Sequence, residues 1–247
     1  MRSSFEFQPD RREVLYALGS FVAVGFLGCG GSSPASPSST SSSSSTSSTN
    51  APCVVTPALT EGPYFVDERL NRSDLRSDPA TGSARPGVPL SLIVKLSQIS
   101  GAGACTSLAG GLVDVWHCDA LGVYSDIGAQ GTVGQKFLRG YQLSDAGGEA
   151  RFTTIYPGWY PGRAVHIHFK VRTNPGSASG FEFTSQMFFD EALTDIVHAQ
   201  APYNSKGRRN TTNSNDGIYQ GGGSQVLFPL TTAGSGYEGV FNVGVRI

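Results

Sequence analysis

Apolar and other side chains alternate along much of the chain. From residue 88 to residue 96 the apolar positions are Val88, Leu90, Leu92, Val94 and Leu96, the period-two signature of a strand with one buried face. Similar stretches predict strands over residues 112–118, 137–143, 150–155, 164–172, 181–189, 225–230 and 240–247, most of them separated by Gly- or Pro-bearing turns. Residues 191–199 predict one short helix. Strands in this number, with no long helices between them, predict an all-β fold: a β-sandwich of short, mostly antiparallel strands with long loops and at most one or two short helices.

The pattern changes before residue 51. Arg11 and Arg12 precede an apolar run over residues 14–27, too short for a permanent membrane span and flanked like a secretory signal. Asp10-Arg11-Arg12-Glu13 resembles a twin-arginine signal, and Phe26-Leu27-Gly28-Cys29 resembles a lipoprotein processing site at which Cys29 would carry lipid. Sec export and simple cleavage stay open as alternatives. Over residues 32–49, 15 of 18 positions are Ser or Thr, a composition that cannot bury enough apolar surface to offset its ordering entropy. The expected organisation is an export signal over residues 1–28, a Ser/Thr-rich linker over 29–50 and a β-sandwich domain over 51–247. The expected location is the bacterial periplasm or cell surface, with the membrane reached only through the lipid on Cys29.

Charge narrows the partners. With 18 Lys and Arg against 19 Asp and Glu among 247 residues, no basic field exists to hold a phosphate backbone, so no nucleic-acid partner is expected. Beyond Cys29, Cys53, Cys105 and Cys118 remain; an exported protein is expected to pair two of them, and the spacing does not say which two.

The most informative stretch for chemistry is Val165-His166-Ile167-His168-Phe169. On a strand, residues i and i+2 share a face, so two imidazoles converge on one point. Tyr160 lies six residues before His166, across a Pro161-Gly162 turn, and Arg163 sits between them. Two His with one or more Tyr form a donor set of nitrogen and hard phenolate oxygen, which suits ferric iron. Zinc more often brings Cys or a carboxylate. A ferrous facial triad or a cupin needs an acid near the His pair, and the nearest downstream acid is Glu182, fourteen residues past His168.

Five segments then resemble one family. They are Thr60-Glu61-Gly62-Pro63-Tyr64, the run from Asp114-Val115-Trp116-His117-Cys118 to Leu121-Gly122-Val123-Tyr124, Arg139-Gly140-Tyr141-Gln142, Phe152-Thr153-Thr154-Ile155-Tyr156-Pro157-Gly158-Trp159-Tyr160, and Arg163-Ala164-Val165-His166-Ile167-His168. In this order they resemble the intradiol ring-cleavage dioxygenases, especially the small exported members, over most of residues 53–190. The resemblance implies one Fe(III) per chain, held by Tyr124, Tyr160, His166 and His168 with hydroxide as fifth ligand. It implies that Arg163 and Gln186 lie beside the substrate, that Tyr64 and Trp116 wall the pocket, and that Tyr160 leaves the metal as a catechol binds. The substrates implied are a catechol-type ring and O₂, and the product a muconate-type diacid. The resemblance assigns no ligand role to His117 or His198. The forty or so residues between linker and first strand are too few for the helical pairing domain of cytosolic catechol dioxygenases, so oligomeric state is not implied. Two rivals stay open: a lipid-anchored β-sandwich that binds without catalysis, and a cupin-type metal oxidase using His166 and His168.

Overall fold

A computed structural model of the chain describes residues 53–175 and 177–247. The signal expected over residues 1–28, the linker over 29–50 and Cys29 lie outside the described residues. Among the described residues nine strands form two sheets: β1 (Pro89–Ile99), β2 (Cys105–Ser107), β3 (Leu112–Trp116), β4 (Arg139–Leu143), β5 (Glu149–Ile155), β6 (His166–Thr173), β7 (Phe181–Phe188), β8 (Thr231–Ala233) and β9 (Gly236–Val245). In the first sheet β1 pairs antiparallel with β5 and β2 along one edge and parallel with β9 on the other, and β8 closes the far side of β9. The second sheet is antiparallel throughout, in the order β4-β3-β6-β7.

The predicted alternation places the core between the sheets. Leu90, Leu92, Val94 and Leu96 of β1 are buried there with Val113 and Val115 of β3 and Ile167, Phe169 and Val171 of β6. Phe169 meets Phe241 of β9 across the interface, ring centroids 5.5 Å apart. On the opposite face of β6, His166, His168 and Lys170 are buried as well, because residues 57–65 lie across that face. Leu59 N–H donates to Thr184 O at 3.1 Å, Ser185 Oγ donates to Pro57 O at 2.7 Å, and Gln186 Nε2 donates to Thr60 O at 2.7 Å. Lys170 pairs with Glu61 and sits 4.1 Å from the centre of the Phe65 ring.

The helix expected over residues 191–199 is α1 (Glu191–His198), N-capped by the Asp190 carboxylate, which accepts from Leu193 N–H. A second, one-turn helix, α2 (Gly217–Gln220), is capped in the same way by Asp216. The strand expected over residues 225–230 is instead a 3₁₀ turn, Gly223–Val226, followed by a single bridge from Leu227 to Phe188. Pro229, having no N–H, ends pairing there. The strand expected from 240 begins earlier, at Gly236, because β9 follows β1 in register from Tyr237 opposite Leu90. The strand expected from 137 begins at Arg139, since Leu138 stands at φ 54°. Short β2 and β8 carry too few residues to show a period. The disulfide joins Cys53 to Cys105, and Cys118 is a buried free thiol that burial pushes up to about 12.

Candidate metal centre

Sheet register builds the floor of the site. Arg139, Trp116, His168 and Gln186 stand directly opposite one another across β4, β3, β6 and β7, so their side chains share the face covered by residues 57–65. His166, two residues before His168, lies on the same face. The indole of Trp116 stacks on the His168 ring, centroids 4.9 Å apart and planes 6° apart.

Two loops bring the tyrosines in. The Asp119 carboxylate accepts from Leu121 N–H and Val123 N–H, at 2.9 and 3.0 Å, and turns the chain so that Tyr124 points inward, fully buried. Gly122, at φ +79°, lets this loop meet the one carrying Tyr160: a Cβ there would sit 2.1 Å from Trp159 O. Lys206 Nζ donates to both Leu121 O and Trp159 O and so fastens the two loops together.

The four rings close a cycle. Centroid separations are 5.8 Å for Tyr124 and Tyr160, 5.6 Å for Tyr160 and His166, 4.6 Å for His166 and His168, and 6.3 Å for His168 and Tyr124. Within it, His166 Nε2 stands 3.0 Å from His168 Nε2 and 3.1 Å from Tyr160 Oη. His166 Nδ1 donates to Ala164 O at 2.6 Å, which leaves Nε2 with its lone pair turned toward the cycle. Metal–imidazole bonds are about 2.1 Å long in zinc sites, so two such nitrogens at right angles would stand about 3.0 Å apart. The Tyr124 hydroxyl is buried with no hydrogen-bond partner among the described residues, a loss that a bound cation would make good. Gly62, at φ +70°, brings bare backbone over His168; a Cβ there would lie 3.3 Å from its Cε1.

Burial makes all four donors neutral in the absence of a cation. It pushes Tyr160 up to about 12, with Arg163 opposing, and raises Tyr124 well above the ordinary phenol value, where the adjacent Tyr160 adds to burial. Burial, helped by the Arg163 charge, takes His166 down to about 3; burial and the neighbouring His166 likewise hold His168 well below its ordinary value. Among the described residues no group of three or more His, Cys, Asp or Glu is placed to hold a metal ion. The donor set therefore fits a hard, highly charged cation able to displace phenolic protons, and ferric iron is such an ion.

Arg163 and Gln186, expected beside the site, meet there: Arg163 Nη2 donates to Gln186 Oε1 at 2.6 Å, and Arg163 Nη1 lies 3.5 Å from His166 Nε2. Tyr64 packs against Tyr124 and Tyr160, with centroids 4.6 and 6.1 Å away. His117 and His198 stand elsewhere. The first is bonded to Cys118 O and Thr154 Oγ1, the second to Pro157 O. Sequence reasoning missed two residues. Arg139, buried, donates to Ser125 O, Ser125 Oγ and Tyr64 O; it lies inside the Arg139-Gly140-Tyr141-Gln142 motif, whose residues alone give no sign of that role. Asp216 accepts from Arg163 Nε at 2.9 Å and carried no motif at all.

Comparisons with known proteins point to one family. The family model described as Dioxygenase matches residues 60–208, a stretch that includes every ring of the cycle. The chain is 29% identical to chlorocatechol 1,2-dioxygenase of Pseudomonas putida over 168 residues, 59% of either chain, and so spans about three fifths of that relative's length. It superposes on an intradiol ring-cleavage dioxygenase from Tetranychus urticae with a TM-score of 0.68 and 29% identity, covering 78% of this chain and 95% of that one. The dioxygenase domain of a carbohydrate-binding fusion protein from Streptomyces sp. SirexAA-E gives a TM-score of 0.57 at 30% identity, covering 78% of this chain and 99% of that one. With the motif order, the two-sheet fold and the family match in accord, the chain belongs to the intradiol ring-cleavage dioxygenase family.

Proposed function

We propose that this protein is a non-haem Fe(III) dioxygenase that inserts both atoms of O₂ into a catechol-type ring, cleaving it between the two hydroxyl-bearing carbons to give a cis,cis-muconate-type diacid. The observation that carries this reading is the closed cycle of two tyrosines and two histidines, with Nε2 of both imidazoles and Oη of Tyr160 within 3.1 Å of a neighbour. Tyr124, Tyr160, His166 and His168 would hold one ferric ion per chain. When bound, that ion supplies Lewis acidity toward the two catechol oxygens and opens the ring carbons to attack by O₂.

The chain's own residues do the rest. Tyr124 is sealed in and stays in place, whereas Tyr160 lies at the rim, half-buried beside exposed Pro161 and Gly162. Tyr160 is therefore the phenol free to swing out, and its Oη takes up a proton as the catechol loses one. Arg163 offers Nη1 beside His166 to negative charge developing on the substrate oxygens. Tyr64 provides a flat wall for an aromatic ring, while Trp116, expected to be a second wall, is buried between Phe65 and His168 and backs the His168 ring instead. The Cys53–Cys105 disulfide supports a location in an oxidising compartment, in keeping with export and a lipid anchor at Cys29.

The test is the visible spectrum of the purified full chain, with iron assayed on the same sample, alongside Tyr124→Phe and Tyr160→Phe. A broad tyrosinate-to-iron band that moves when catechol is added without oxygen, and is lost or weakened in both variants, is expected. Oxygen uptake with catechol separates an enzyme from a binding module. A protein that stays colourless with iron supplied, or two variants with full metal and activity, would refute the reading.

A further inference from the structure

Arg163 is gripped from two sides, and only one of the gripping residues lies within the stretch that matches the family. Asp216 stands beyond residues 60–208, fifty-three positions from Arg163, on a loop tied down by its neighbours. Asn213 Nδ2 donates to Phe189 O at 2.8 Å, Gln220 Nε2 donates to Asn213 O at 2.9 Å, and Asp216 N–H donates to Thr212 O at 3.1 Å. The Asp216 carboxylate, 1% exposed, divides its work between its two oxygens. Oδ1 accepts from Ile218 N–H and Tyr219 N–H at the start of α2, at 2.7 and 2.9 Å. Oδ2 accepts from Ala164 N–H and Arg163 Nε, at 2.7 and 2.9 Å.

The guanidinium thus has Nε held by Asp216 and Nη2 held by Gln186, whose own Nε2 is tied to Thr60 O. Nη1 remains, directed to His166. We propose that Asp216 is a positioning residue for catalysis: it fixes the plane of the Arg163 guanidinium and reserves Nη1 for the substrate oxygens. It also makes Arg163 half of a neutral pair, so the site meets an anionic substrate with a directed donor rather than a loose charge. This assignment rests on the function proposed above.

Asp216→Asn tests it with almost no change of shape. Keeping Oδ1 on α2 would turn the amide NH₂ toward two donors, Ala164 N–H and Arg163 Nε–H, so the Arg163 contact cannot be kept together with the cap. Asp216→Ser is the second variant, since Ser still caps a helix but is too short to hold Arg163 as well. Both are compared with Arg163→Gln and with each double variant, reading iron content, anaerobic catechol binding by the visible band, kcat and KM. Iron content is expected to match wild type while kcat/KM falls about 10–100-fold, as for a lost supporting contact. In the Arg163→Gln background the Asp216 changes should have no further effect. A kcat/KM within threefold of wild type in a folded variant, or losses that multiply in the double variants, would overturn the assignment. Wild-type protein that cleaves no catechol would overturn the function itself, and the assignment with it; activity in wild type with no change in the variants would overturn the assignment alone.

Discussion

Replacing Gly62 by Ala probes an approach of backbone to the ring cycle. Two costs can be separated. At φ +70° an Ala occupies the left-handed region at about 1–2 kcal/mol. The added Cβ also meets His168 Cε1 at 3.3 Å and Nε2 at 3.8 Å, so one of them must move by a few tenths of an ångström. The imidazole is not free to yield, being stacked on Trp116 with planes 6° apart, and any shift changes the 3.0 Å spacing of the two Nε2 atoms. Gly131 is the matched control: it has φ +68° and nothing within 4 Å of its Cβ position. Gly131→Ala should therefore show the backbone cost alone, a fall in Tm of about 2–8 °C at the 2–4 °C per kcal/mol expected of a domain this size. Gly62→Ala should show at least that fall and, in addition, about 10–100-fold weaker iron binding, the usual size of a disturbed ligand support. Thermal melts and iron titration of both variants measure the two effects. If Gly62→Ala binds iron as wild type does, or Gly131→Ala weakens it equally, the contact with His168 has no bearing on the site.

His117, fully buried, is lowered from the ordinary 6.5 to about 4, mainly by burial. The unfolded chain takes up this proton below pH 6.5 and the native protein only near 4. The His117 contribution to stability is thus complete above pH 6.5 and is lost, by about 3 kcal/mol, as pH drops toward 4. Melting His117→Gln across that range should show an acid slope shallower by about one proton; an unchanged slope would count against it. The Cys53–Cys105 bridge closes a loop with a sequence separation of 52, for which loop entropy predicts about 4 kcal/mol. Urea unfolding of the protein with both residues changed to Ser should recover most of that figure, and a loss below about 1 kcal/mol would show that the bridge constrains little.

Much of this protein was legible along the chain because strand periodicity is local. The alternation around Leu90 to Leu96 marks a face, and the His166–His168 spacing sets two imidazoles on one side of β6 before any tertiary contact is known. The family motifs, also local, carried Tyr124, Tyr160 and the flanking Arg163. What period two cannot show is whether the second face of a strand is covered. β6 is buried on both sides because residues from more than a hundred positions earlier lie over it, tied at Pro57 and Thr60 to Ser185 and Gln186. The 225–230 segment misled because apolar residues bury as readily in a turn as in a strand, and Pro229 with the preceding glycines decides between them. The choice of Cys53 and Cys105, the row from Arg139 to Gln186, and the hold of Asp216 on Arg163 belong to tertiary structure alone. Each joins residues dozens of positions apart, and one sequence records the chemistry of such groups without recording the distance between them.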